Sequence, residues 1–260
     1  MPAMRASTVL GLCLLAGVAG LGVAVRSGRL AVPDAWNPWA PLSVDAAPNP
    51  LTRWKLARLS SDPAACRAVL EGSGARFSPV EPQRTDSGCG WDDAVRIRAT
   101  GVAYSQPFVL SCPAAVSLVL WERHALQPAA RAHFGAPVTR IDHLGSYACR
   151  NVYGRAEGSR SRHATADALD IAGFRWADGR QVTLLRDWAA PAPPPAPGAD
   201  GGAGTARGAG AARPPTAASR FLQDARDGAC RFFDGVLGPD YNAAHRDHFH
   251  LDRGPYRVCR

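Results

Sequence analysis

The sequence predicts an α+β domain: a small antiparallel sheet flanked by helices and clamped at its periphery by disulfides. Three observations carry that reading. Short stretches of alternating apolar and polar residues occur between Gly88 and Val109, from Val138 to His143, and around His248–Asp252. Apolar runs of helical character lie between them. Six cysteines (Cys66, Cys89, Cys112, Cys149, Cys230 and Cys259) follow an apolar N-terminal stretch, and none forms a CxxC pair. An even count behind an export signal reads as up to three disulfides, whose fifteen possible connectivities the sequence leaves open. With 260 residues and 46% hydrophobic content, the chain can bury a sizeable core.

Taken in order, residues 6–25 carry no charge and Arg26 closes the run. About 20 apolar residues at ~1.5 Å rise are enough to cross a bilayer. Residues 1–28 are therefore read as a membrane anchor, with a cleaved signal peptide ending near Gly22-Val23-Ala24 as the alternative. Either way the chain is assigned to the periplasm or cell envelope. Cys13 is not read as a lipoprotein cysteine, because the bulky Leu12 precedes it. Residues 29–52 are dense in proline and tryptophan, which denies helix and predicts an extended tether or a strap across the domain.

From residue 53 to 260 the text reads as one domain. Asp62 should cap a helix that has Pro63 at its first position. Two strands should meet around Gly101. A long helix should run from about Pro113 to His133, with Ser111 as its cap and Pro128 kinking or splitting it. Residues 189–219 are almost all alanine, glycine and proline, and predict a disordered insertion, since such a segment cannot bury enough apolar area to offset its ordering entropy. Helical pattern resumes at Phe221.

The net charge of +8 is almost entirely arginine, Lys55 being the only lysine. The arginines stand singly among apolar and small residues, a pattern that argues against nucleic acid and suits an anionic polymer such as the cell wall. No GxSxG elbow and no phosphate-cradling glycine loop occurs.

Metal-type residues concentrate in two segments, Ser161–Ile171 and His245–Asp252. Zinc needs nitrogen and oxygen donors converging at ~2.0–2.2 Å, and catalytic sites use three protein ligands plus a water. His163 and Asp170 converge if the chain turns between them. On a strand, His248 and His250 point to the same face, while Asp247 faces away. His124, His133 and His143 lack such a setting and are read as structural, and Tyr147 and Tyr153 as core. Asp252 either orients a histidine or sits at the surface; His245 either walls the cleft or caps a turn.

The segments SRHATADALDI and HFH resemble the SxHxxGxAxD and HxH pattern of the LAS metallopeptidases, which cut cell-wall peptides. More closely, Trp54 to Arg260 resembles the bacterial extensin-like C-terminal family through TRWKLARL, SYACR, the His163 motif, VLGPDYNAAHRDHFHLD and RVCR. The resemblance implies a LAS- or hedgehog-like fold with His163, Asp170 and His250 as zinc ligands. It implies His248 as general base, with Asp247 as the competing candidate, Arg150 as a cation for the oxyanion or substrate carboxylate, and Ser161 behind the ligands. The implied activity is zinc-dependent hydrolysis of peptidoglycan peptides, at a membrane reached through the N-terminal segment. A non-catalytic wall-binding protein on the same fold is the alternative. Thr165 and Ala166 stand where the pattern often has glycine.

Overall fold

A computed structural model describes residues 6–189 and 215–260. The chain begins with helix α1 (Ala6–Arg26), followed by helices α2 (Pro50–Arg58) and α3 (Pro63–Gly72). The segment expected to be without helix holds a 3-10 turn at Asp34–Trp36 and the first turn of α2, where Pro50 fits because the first helical position needs no N–H. Strands β1 (Arg76–Val80), β2 (Gln83–Arg84), β3 (Gly90–Trp91), β4 (Ala94–Ala99) and β5 (Ala103–Ser111) come next. Helices α4 (Cys112–Trp121) and α5 (Gln127–Phe134) lead to β6 (Arg140–Gly145), β7 (Ala168–Arg175), β8 (Gln181–Thr183) and α6 (Leu184–Asp187). Helix α7 (Ala217–Ala229) and strands β9 (Gly235–Leu237), β10 (Phe249–Asp252) and β11 (Val258–Cys259) complete the fold.

The α+β class holds, but the sheet is neither small nor purely antiparallel. Nine strands run in the order β1-β4-β5-β6-β7-β10-β9-β11, with β8 also on β7. The β5–β6 and β9–β11 pairs are parallel. For β5–β6 the cause is the connection: α4 and α5 together form the helical crossover that parallel neighbours need. The sequence announces the helices, but not that they return the chain to the same end of the sheet.

The expected long helix is split as Pro128 requires. Proline lacks an N–H and its ring crowds the carbonyl four residues back. A π-turn over Glu122–Leu126 absorbs that misfit between α4 and α5. Ser111 stands at the N-cap position of α4, yet its side chain makes no capping bond and is buried without a partner among the described residues. Asp62 does cap α3, accepting from the Ala65 N–H at 3.0 Å. Helix α7 begins at Ala217, earlier than its apolar pattern suggests, because Thr216 Oγ1 caps it and Ser219 packs inside. That corrects the C-terminal limit of the expected insertion; residues 190–214 lie outside the described residues.

The core packs α4, α5 and α7 against the sheet through Trp121, Phe174, Phe221 and Phe249, all fully buried. Trp121 also donates its indole N–H to the Ala225 carbonyl at 2.8 Å, tying α4 to α7. Truncating so large a buried side chain typically costs about 3–5 kcal/mol. The proline-rich segment is a strap: Leu42 and Val44 enter the core, Lys55 Nζ donates to the Asp34 carbonyl at 2.7 Å, and His124 Nε2 to the Val44 carbonyl at 2.8 Å. Three disulfides, Cys66–Cys112, Cys89–Cys149 and Cys230–Cys259, join α3 to α4, the β3 region to the β6–β7 loop, and the end of α7 to β11.

Candidate metal centre

Strands β7 and β10 are antiparallel neighbours, and their register places Asp170 directly opposite His250. Directly opposed residues project from the same face of a sheet, so these two side chains meet without help from any loop. His163 arrives from the 3-10 turn Arg162–Thr165 that feeds β7. Ser161 Oγ accepts from the His163 N–H at 3.3 Å and so opens that turn. Ala166 closes it in the left-handed conformation, at φ 54° and fully buried. That backbone explains why glycine suits this position: only glycine takes such a φ without a Cβ penalty. Between Thr165 and Ala166, the structure assigns the requirement to Ala166.

The three donors form a near-equilateral triangle. His163 Nε2 lies 3.1 Å from both Asp170 Oδ1 and His250 Nδ1, and the latter two are 3.0 Å apart. The outer nitrogens have partners of their own. His163 Nδ1 donates to the Ser146 carbonyl at 3.1 Å, and His250 Nε2 to Asp252 Oδ2 at 3.0 Å. With those protons on the outside, both neutral imidazoles turn lone pairs inward, onto a carboxylate oxygen that is itself an acceptor. Three acceptors facing one point repel unless a cation sits among them. Two nitrogens and one carboxylate oxygen are the donors zinc takes in catalytic sites, and tetrahedral ligands at ~2.0–2.1 Å stand ~3.3 Å apart, close to these edges. The residues fit a zinc ion.

Without a metal, a proton serves as that cation. Burial alone would lower the His250 pKa, but the Asp170 and Asp252 carboxylates on either side outweigh it and push it up to about 9. For Asp170, burial works to raise the carboxyl pKa, and the hydrogen bonds from His163 and His250 reverse this and hold it well below the usual range. His245 packs beside His248 and His250, with ring centroids 5.2 and 5.9 Å away. Its burial, and then the charges of those neighbours, lower its pKa to about 4, so it is a neutral wall of the site. Its Nδ1 bonds Asn242 Oδ1 at 2.8 Å.

His248 precedes β10 yet shares the site with His250, its Nε2 lying 3.7 Å from Asp170 Oδ1. Its Nδ1 faces Asp247 Oδ1 at 2.9 Å. Asp247 sits in the preceding turn rather than on a strand, and its carboxylate backs the His248 ring. Arg150 is exposed and lines the same cavity, which holds about 960 Å³. Tyr153 lines it too and receives a hydrogen bond from Asn242 Nδ2 at 2.9 Å. Neither Tyr153 nor Tyr147 is a core residue: both are exposed, Tyr147 meeting Trp91 edge-on at 5.0 Å between centroids. Both sit on the loop between β6 and β7, outside the sheet and helices that enclose the core.

His124, His133 and His143 are structural, each bonded away from the centre to Val44, Asp224 and Gln106 respectively. The cluster Cys66–Asp93–Cys112 offers donors in number only, because its cysteines are joined to each other. Two features lay beyond sequence reasoning. A Cβ at Gly235 would stand 2.1 Å from Asp252 Oδ2, so glycine there leaves room for the carboxylate that orients His250. Bulges in the β6–β7 pairing around His143 re-aim the chain that presents the Ser146 carbonyl. The role of Asp252 was within reach, since residues two apart on a strand share a face.

No curated protein and no solved structure matches the chain. Residues 64–196 and 206–260 match the family described as extensin-like protein C-terminus, a span that takes in every residue of the centre and most of the sequence. The chain therefore belongs to the extensin-like protein C-terminus family.

Proposed function

We propose that this protein is a zinc-dependent peptidase of the cell envelope, of the LAS type, that hydrolyses amide bonds in peptidoglycan peptides. The convergence of three acceptor atoms on one point, with both histidines held by a partner behind them, is the observation that carries the proposal. His163, Asp170 and His250 would hold the ion, which when bound supplies Lewis-acid polarisation of a carbonyl and acidifies a water. The other groups handle protons and position. With Nδ1–H held by Asp247, His248 presents the Nε2 lone pair towards Asp170 and the cavity. There it takes a proton from the attacking water and returns it to the leaving amine nitrogen as the C–N bond breaks. Arg150 offers a cation to an oxyanion or a substrate carboxylate. Three disulfides and an apolar N-terminal helix suit an extracytoplasmic setting.

The test is a digest of purified peptidoglycan by the full-length protein with zinc and with chelator. Zinc-dependent release of shortened peptides is the expected result. His248→Ala should keep its zinc and lose ~10²–10⁴-fold in rate, with Asp247→Asn losing less. If Asp247→Asn abolishes turnover while His248→Ala keeps it, the two roles exchange. A zinc-loaded protein that binds wall peptides and cuts none is a binding protein on this fold.

A further inference from the structure

We infer that the folded domain carries its own membrane-contacting surface, an aromatic belt of Trp36, Trp39 and Trp54 seated in the headgroup layer beside α1. The inference rests on the envelope-anchored reading of α1, and is independent of the metal and of catalysis. These tryptophans are 56%, 38% and 44% exposed, although large aromatics usually bury. They form one patch. The Asp34 carbonyl accepts from Lys55 Nζ at 2.7 Å, the Pro38 carbonyl from Arg58 at 3.0 Å, and the Ala35 carbonyl from Asn49 Nδ2 at 2.8 Å. Those bonds lash the strap residues that carry Trp36 and Trp39 onto α2, which carries Trp54. The Arg58 guanidinium lies over the Trp54 ring at 4.8 Å.

The patch adjoins α1, which fixes its occupant. A Cβ placed on Gly22 would stand 3.4 Å from the Trp39 ring, so Trp39 lies against the helix about one turn before its end. Helix α1 contains an 18-residue window of mean hydropathy 2.3, none of it buried among the described residues. Exposed Arg26 ends the helix, and exposed Arg29 and Leu30 follow. Tryptophans at the end of an apolar span, with arginines among them, are the arrangement that settles at a bilayer's polar boundary, the rings in the interface and the cations on lipid phosphates. Only seven residues separate Arg26 from Asp34, and Val44 is already in the core. A strap so short and so bonded holds the domain on the membrane, where a free tether would let it drift.

The experiment places the full-length protein in vesicles of phosphatidylethanolamine and phosphatidylglycerol with brominated acyl chains near the headgroups, and reads tryptophan emission. The expected result is quenching by the share that three of the seven tryptophans carry. Trp36→Phe, Trp39→Phe and Trp54→Phe combined should remove that quenching and leave the melting temperature and the vesicle-bound fraction unchanged. Vesicle-bound protein with unquenched emission would overturn the belt and leave the anchor standing. Protein that does not float with the vesicles would overturn both, and quenching that persists in the triple variant would overturn the assignment to these rings.

Discussion

Asp170 in the candidate metal centre and Glu122 at the start of the π-turn are both carboxylates largely withdrawn from water, and their acidities shift in opposite directions. Burial penalises ionisation in each. Around Asp170 stand two imidazoles that can carry protons, and they keep it ionised far below the usual range. Glu122, 3% exposed, receives the Thr100 hydroxyl at 2.5 Å and the Tyr104 hydroxyl, both neutral. Burial wins there and pushes its pKa up to about 7. Depth therefore does not decide whether a buried acid can bind a cation; the kind of partner does. One region is built to keep a charge, the other to hold a hydrogen-bonded strut between β4, β5 and the helical crossover.

The largest expected effect separates the two acids by metal content. Asp170→Asn removes the anionic ligand and should strip the purified protein of zinc, while Glu122→Gln should retain one equivalent. Equal zinc in both variants would break the comparison.

Next comes pH. A carboxyl raised from 4.5 to about 7 leaves the folded chain holding more protons than the unfolded one between those values. Its stabilising contribution is complete below the lower value and is lost as pH rises through the upper, by about 3 kcal/mol. Asp170 runs the other way: its contribution is present above the ordinary aspartate value and is lost as pH falls through its depressed one. The stability difference between wild type and Glu122→Gln, read by denaturant melts, should fall by about 3 kcal/mol between about pH 4 and pH 8, a comparison in which the shifted His245 and His250 cancel. A difference that does not change with pH would refute the account of Glu122.

A smaller effect sharpens the role of the partner behind the ligand. Asp252→Asn leaves all three donors in place but weakens the hold on His250 Nε2, and should cost about 10–100-fold in zinc affinity. Gly235→Ala should act in the same direction, because its Cβ takes the space of the Asp252 carboxylate. Competition against a chelator of known affinity measures both, and unchanged affinity in both would detach Asp252 from the centre. The smallest effect is Ala166→Gly. It relieves a left-handed alanine worth about 1–2 kcal/mol of strain, against the extra freedom glycine gives the unfolded chain. The net expectation is a gain of no more than about 1 kcal/mol, read by denaturant melts, with zinc content unchanged; a clear loss would show that the buried methyl matters more than the backbone.

Some features needed nothing beyond local chemistry. The apolar run of α1, the Asp62-Pro63 start of α3, the turn at Gly101 and the break imposed by Pro128 are set by neighbours a few residues apart, and the structure contains all of them. Residue types alone marked the two segments Ser161–Ile171 and His245–Asp252; the choice of His163, Asp170 and His250 within them came from the resemblance to the metallopeptidase pattern. Ser111 shows the limit of local reasoning: a serine well placed to cap α4 is buried by the packing around it, with no partner among the described residues.

What the tertiary structure alone decided is closure over distance. Asp170 and His250 are 80 residues apart, and it is the β7–β10 register that puts their donors at 3.0 Å. A shift of one residue would send one side chain to the opposite face. The parallel β5–β6 pairing, the three disulfide partners, the αL turn at Ala166 and the space at Gly235 are likewise settled by the whole sheet. The physical reason is that capping, turn formation and helix breaking depend on bonds within a few residues. Register and crossover depend instead on which buried faces can be satisfied together, and no short stretch of sequence contains that information.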